Sequence, residues 1–395
     1  MKHKCLACNG GLGKSFFRIL DLPLVDSFSK TAALAKKVNK FTVNLCQCNI
    51  CSTIQIASPP DTSVIYKEYI YESKSSPDLK KHFLEYALYI KSLSNSKKDK
   101  ILEIGCNDGL LLKKLHHIGF YNLNGIDPSP QTSTISIPNA FIVNDFFTNK
   151  NSTRFQDSSF DFIIANNCFS HIPDLVSVLA NCKKLLKSKG TLVIEVQSTL
   201  DLLQNVIFDY IYHEHYFYHS VTSFEKVVSL AGLQIYDLMH VDTKGGSYRF
   251  LVGHRDLHKR NKRIDYWKYR EKLLDLHSSR PWVILETYLR NLKKNLHQFL
   301  RKNKYDNIYA YGASATTTVL HSYMGLEKNI KAIIDDNVKR QGLFAPGSGI
   351  PVVAPKNLTK ADICIISAWR HANLIISKLS NFKTPYIVPL PKLIF

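Results

Sequence analysis

The chain reads as an α/β protein: a Rossmann-like domain, preceded by a small cysteine-clamped module and followed by a second, small Rossmann-like α/β domain. Three observations predict this. Two CxxC pairs, Cys5/Cys8 and Cys48/Cys51, lie at the start of the chain. Strand-like apolar runs then alternate with helical stretches (ILEIG, LNGID, FIVND, FDFIIAN, GTLVIEV), the rhythm of a doubly wound parallel sheet. A second strand-turn unit, NIYAYGASA, is followed by IKAIIDD, ADICIISAW and TPYIVPLP.

At 395 residues the chain has room for two or three domains with full cores. A composition of 45% hydrophobic and 21% charged residues excludes a disordered chain. No apolar run reaches the roughly 18 residues of a membrane span. MKHKCLAC lacks the apolar core of a signal peptide, so a cytoplasmic protein is expected. The formal charge of +20 suggests either a phosphate-bearing partner or a generally Lys-rich composition. Much of the excess lies in residues 255–304, with fifteen Lys or Arg against five acids. No nucleic-acid motif accompanies that stretch, which favours a solvated basic face.

Taken in chain order, residues 1–60 form the first module. Cys5, Cys8, Cys48 and Cys51 can supply four thiolates to one tetrahedral zinc, with no open position for catalysis. Cys46 is a spare thiol, set aside because Cys48 keeps the two-residue spacing. Residues 61–98 bridge to the next domain, with Tyr66, Tyr69 and Tyr71 ahead of a helical pattern over 79–94.

Residues 99–254 carry the first nucleotide-type fingerprint. Glu103, Gly105, Asn107 and Gly109 sit where a strand breaks into a helix, spaced GxxxG and not GxGxxG. Asp127 ends the next strand, where an acid accepts bonds from ribose hydroxyls. Asp145 and Phe146 follow the third strand and suit adenine. Asn166 and Asn167 end the fourth. All these strand ends fall along one crevice, and the set favours S-adenosylmethionine over a nicotinamide cofactor.

Residues 208–220, FDYIYHEHYFYHS, pack histidines, a glutamate and tyrosines together, as a site that grips a polar substrate and moves a proton requires. As a strand, this segment would put His213 and His215 on one face and Tyr212 and Glu214 on the other, so an irregular loop is expected. The HxH pair could chelate a metal but has no clear third ligand. Structural roles are the plainer readings of His213 and of His171. Residues 255–304 read as a basic helical connection, and residues 305–395 as the second α/β domain.

These motifs resemble the C-methyltransferases that act on nucleotide-linked keto-sugars to make branched deoxysugars. The similarity covers the paired CxxC knuckles, YIYESKSS, LEIGCNDG, ANNCFSHIPDL, FDYIYHEHYFY, KGGSYRF, YGASA, IIDDNVKRQGLFAPGSGIPVV and YIVPLP. The resemblance implies a structural zinc module, a middle domain that binds S-adenosylmethionine, and a sugar nucleotide in the cleft toward the C-terminal domain. It implies His215 as the base, with Glu214, Tyr212 and Tyr71 as companions. Tyr69, His171, Arg249, Tyr311 and Ser314 are then expected on the substrate side. Arg249 could pair with a phosphate or fix its own loop. Three positions depart from the family pattern: Thr316 and Thr317 stand where a lysine and a glycine are usual, and Arg370 where an asparagine is usual. Oxygen methylation of a sugar or phosphate-bearing group is the alternative reaction. A nucleic-acid-binding protein with a degenerate methyltransferase domain is a further alternative, resting on the net charge.

Overall fold

The computed structural model describes residues 4–62, 65, 73 and 77–394. Tyr66, Tyr69 and Tyr71 lie outside the described residues.

The middle of the chain builds a seven-stranded sheet in the order β10-β11-β8-β7-β4-β5-β6. Strands β4 (Ile101–Ile104), β5 (Leu123–Ile126), β7 (Phe160–Asn166), β8 (Leu186–Gln197) and the edge strand β6 (Phe141–Val143) are parallel. β11 (Ser247–His254) returns antiparallel to β8, and β10 (Leu233–Val241) closes the edge. The strands read as continuous apolar runs because both faces are covered; all four residues of β4 are buried. The strand order reverses between β4 and β7, which opens a crevice at their carboxyl ends.

The C-terminal sheet is all parallel, in the order β14 (Val352–Val353), β13 (Ile330–Ile334), β12 (Ile308–Tyr311), β15 (Ile363–Ile366) and β16 (Tyr386–Ile387). Its central strand β12 carries the YGASA turn into the helix Ala315–Met324. The preceding helix, Arg280–Asn303, buries Trp282, Leu285, Leu289, Leu292, Leu296 and Leu300 at helical spacing. Arg290, Lys294, Arg301 and Lys302 are exposed on it, so this part of the basic stretch is a solvated face.

The first module is not a free-standing unit. Its sheet orders β1 (Phe17–Pro23), β2 (Lys40–Gln47), β3 (Ile54–Ile56) and β9 (Phe217–Tyr218), and that last strand belongs to the histidine-rich segment. Trp282 lies 5.3 Å from Phe16 and 6.5 Å from Tyr218, ring centre to ring centre. One indole on the connecting helix therefore joins the module and the histidine segment. Among the described residues, no helix is long and apolar enough to cross a membrane.

Candidate active site

The donor crevice is built by tight turns at the strand ends. Gly105 has φ +77°, and a Cβ there would stand 2.6 Å from the Cys168 Cβ, so only glycine fits the approach of β4 to the β7 loop. Asn107 accepts from the Ser73 amide at 3.1 Å. Asp127 accepts from the Ser129 amide at 2.7 Å and from Thr132 Oγ1 at 3.3 Å. Thr132 also donates to the Asn107 carbonyl, which ties the first two strand ends together. Among the described residues, two buried polar atoms here have no partner: Glu103 Oε2 and Asn166 Nδ2. Burial, with Asp127 and Asp108 nearby, pushes the Glu103 carboxyl well above the usual range. Orphaned polar atoms beside a cradle that a Cβ would fill fit a ligand rich in amine and hydroxyl groups. Asp145 caps the Phe146 amide, and Phe146 stays exposed beside the third strand.

The histidine segment is an irregular loop between a 3-10 turn, Phe208–Tyr210, and β9. His215 Nδ1 lies 2.7 Å from the Tyr210 carbonyl. A carbonyl only accepts, so Nδ1 carries the proton and Nε2 keeps the lone pair. Burial, and then His171, hold the His215 imidazole well below its ordinary pKa, so it is neutral at pH 7. Tyr212 and His171 flank it, with ring centres at 4.1 Å and 4.8 Å. Burial likewise lowers His171, to about 3.

His213 has a structural post: its Nε2 accepts from the Val25 amide at 3.2 Å. Glu214 shows no bond to His215. Burial and then Asp26 push its carboxyl up to about 8, leaving it protonated at neutral pH.

His215 lines a small cavity of about 20 Å³ with Asn167, Ser170, Gln197, Ser198 and Lys244. Those residues follow the carboxyl ends of β7 and β8 and precede β11, so the imidazole opens onto the edge that forms the donor crevice.

Lys244 was not singled out by the sequence reading, although its KGGSYRF segment was. It opens a left-handed turn (φ +54°) in which a Cβ on Gly246 would strike the Asp201 carboxyl carbon at 2.3 Å. No acid pairs with its ammonium among the described residues, and burial lowers its pKa to about 8.

Arg249 is engaged elsewhere than at a phosphate. Its Nε and Nη2 donate to Glu195 Oε2 at 2.9 and 2.7 Å, and its guanidinium lies 4.1 Å from the Tyr86 ring centre. Burial would raise the Glu195 carboxyl, but His82 and Arg249 outweigh it and hold it low. Of the two roles the sequence left open, this geometry is that of the loop anchor.

Tyr311 and Ser314 do not line the His215 cavity either. The Tyr311 hydroxyl donates to Asp336 at 3.1 Å, and Ser314 caps the helix Ala315–Met324 by accepting from Thr317. Two of the departures from the family pattern meet each other: Arg370 Nη2 donates to Thr316 Oγ1 at 3.2 Å.

The Sγ atoms of Cys5, Cys8, Cys48 and Cys51 all lie within 4.8 Å of one another. Cys5 and Cys51 are 3.7 Å apart, and Cys8 and Cys48 are 3.5 Å apart. Tetrahedral zinc with sulfur at about 2.3 Å requires separations of about 3.8 Å, so this donor set is compatible with that ion.

Comparisons with known proteins agree with this reading. A methyltransferase domain family matches residues 78–238, and the C-methyltransferase C-terminal domain matches residues 242–391. The C-methyltransferase NovU of Streptomyces niveus is 24% identical over 372 residues, covering 89% of this chain and 87% of that protein. A ubiquinone biosynthesis O-methyltransferase of Actinobacillus pleuropneumoniae is 29% identical over 104 residues, 24% of this chain and 43% of that protein. Among solved structures, a Burkholderia thailandensis 1,6-didemethyltoxoflavin-N1-methyltransferase is 15% identical, with a TM-score of 0.39 over 52% of this chain and 96% of that one.

The sheet order, the glycine cradle and the domain match define an S-adenosylmethionine-dependent methyltransferase with a Rossmann-like fold. Its C-terminal part matches the C-methyltransferase C-terminal domain, and the chain is similar over most of its length to a C-methyltransferase.

Proposed function

We propose that this methyltransferase methylates the carbon beside the ketone of a nucleotide-linked keto-sugar in the cytoplasm, with His215 as the base. One observation carries the reading: a neutral imidazole, its Nδ1–H spent on the Tyr210 carbonyl, lines a cavity at the donor edge of the sheet. A C–H beside a ketone is acidic enough for a positioned imidazole and too weak for water at neutral pH. His215 Nε2 takes that proton, and the C–H electron pair moves toward the ketone oxygen.

The unpaired ammonium of Lys244, in the same cavity, suits the charge that develops on that oxygen. Tyr212 packs against the imidazole and limits its rotation. A protonated Glu214 can donate to a sugar hydroxyl, which a carboxylate cannot. The resemblance assigns one tyrosine, Tyr69 or Tyr71, to the sugar as well. When bound, S-adenosylmethionine supplies an electrophilic methyl group that needs no further activation. Glu103, Asn107, Asp127, Asp145, Phe146, Asn166 and Asn167 would hold it, with Gly105 and Gly109 clearing its path. Four buried or half-buried thiols suit a structural zinc ion in a reducing compartment.

Incubation with methyl-labelled donor and a panel of keto-sugar nucleotides, followed by NMR of the products, tests this. A new carbon–methyl bond beside the ketone, with deuterium uptake from heavy water at the same carbon of unmethylated substrate, is the expected outcome. A methyl ether or ester without such uptake would move the reaction to oxygen.

A further inference from the structure

Asp209 is a fully buried carboxylate inside the histidine segment, and the donors the structure gives it come from the C-terminal domain. Trp369 Nε1 donates to it at 3.0 Å, and Arg370 Nη1 reaches both of its oxygens at 2.9 and 3.0 Å. The other arm of the same guanidinium holds Thr316, and its plane lies 4.5 Å from the ring centre of Tyr210. Tyr210 is the residue whose carbonyl accepts from His215 Nδ1.

We propose that Arg370 is a positioning residue: by clamping Asp209 and Tyr210 from the C-terminal domain, it fixes the carbonyl that holds His215 in its Nδ1–H tautomer. The proposal rests on the reading of His215 as the base and adds how that base is kept basic at Nε2. Rotation of the Tyr210 peptide would remove the acceptor and free the imidazole to carry its proton on Nε2, the nitrogen that must be vacant. Leaving Asp209 without a cation would orphan a buried charge, so the clamp and the loop geometry stand or fall together. Thr316 and Arg370 are then one matched pair. A lysine at 316 beside an arginine at 370 would set two cations against each other, whereas a lysine at 316 with a short neutral residue at 370 could reach Asp209 from the other side.

The test uses full-length protein with ¹⁵N-labelled histidine, in which the His215 signals are identified by their loss in His215→Asn. The native protein should show a protonated Nδ1. Arg370→Gln should give mixed tautomers, unchanged donor affinity and a roughly tenfold to hundredfold slower deuterium uptake. Thr316→Lys should disturb the signal in the same direction, and Thr316→Lys combined with Arg370→Asn should restore it. A merely structural arginine would lower the melting temperature and leave the tautomer signature untouched, which would overturn the proposal. Should Arg370→Gln not fold, Arg370→Lys keeps the charge without the fork or the ring contact, and the same two outcomes decide. A native protein with a protonated Nδ1 that exchanges no carbon-bound hydrogen in any keto-sugar counts against the carbanion reading, and the clamp stands.

Discussion

At the donor crevice, several partners are close in sequence: Ser129 and Thr132 donate to Asp127, and Asp145 caps the next amide in the chain, while Ser73 and Thr132 reach Asn107 from 34 and 25 residues away. At the imidazole pocket, partners are remote. Val25 holds His213, Arg370 holds Asp209, and the loop's exit strand β9 completes a sheet begun near the amino terminus. The first site is largely the product of turns within one domain, and the second exists only where three parts of the chain meet. Damage to either should therefore look different. Lesions in the crevice should cost donor affinity, and lesions around the loop should cost the proton-transfer step.

His215→Ala should give the largest effect. General-base removal costs about 10²–10⁴ in rate, and both methyl transfer and deuterium uptake should fall by that factor. Donor affinity, measured by calorimetry, should stay within about twofold, because among the described residues the ring's hydrogen bond goes to the Tyr210 carbonyl and not to a donor-crevice residue. Undiminished uptake in the mutant would take His215 out of the role.

Gly105→Ala is the converse lesion. Its Cβ would stand 2.6 Å from the Cys168 Cβ on a backbone with φ +77°. Strain of about 1–3 kcal/mol corresponds to a loss of donor affinity of roughly tenfold to a hundredfold. Deuterium uptake into substrate should survive in this variant. Equal losses in binding and uptake would show that the two sites are not separable.

pH should act on the loop side with two limbs of opposite sign. His215 is held well below its ordinary value, so it stays neutral down through pH 6.5, and the rate falls only in stronger acid as Nε2 gains a proton. Lys244 sits at about 8, so the rate falls above pH 8 as the ammonium is lost. Glu214, also at about 8, titrates in the same range. Each limb should approach tenfold per pH unit. Lys244→Arg, which stays charged, separates the two alkaline candidates: loss of the upper limb assigns it to Lys244, and its persistence assigns it to Glu214.

The doubly wound middle domain was legible because its strands are contiguous apolar runs closed by glycine and acidic turns, a pattern carried by a few residues at a time. Gly105 and Asp127 could be read that way. Lys244 could not, because a lysine before two glycines looks like any turn until β11 carries it beside β8. The Asp209–Arg370 bond spans 161 residues, and no periodicity encodes such a pairing. Arg249 was visible as a candidate, but its choice between a phosphate and Glu195 depends on a buried carboxylate on a neighbouring strand. Thr316 and Arg370 were visible only as departures, and their contact explains why they occur together.

Metal removal should give the smallest effect and the finest test of the comparison. The loop between Cys5 and Cys8 is bonded into the HIPD turn: the Leu6 carbonyl accepts from the Asp174 amide at 3.0 Å, and the Leu6 amide donates to Gln55 at 2.9 Å. Asp174 caps the helix Leu175–Leu185, and the Ser170 carbonyl of the same turn accepts from the Tyr216 amide at 2.7 Å. A clamp on the four thiols therefore steadies both His171 and the exit of the His215 loop, and makes no contact with Gly105 or Asp127. A structural zinc ion contributes folding energy to its module, so chelation or Cys8→Ser should lower the melting temperature by several degrees. The same treatment should slow deuterium uptake about threefold to tenfold and leave donor affinity nearly unchanged. If donor affinity and uptake fell together on chelation, the cysteine module would be supporting the whole sheet and not the loop, and the contrast between the two sites would lose its structural basis.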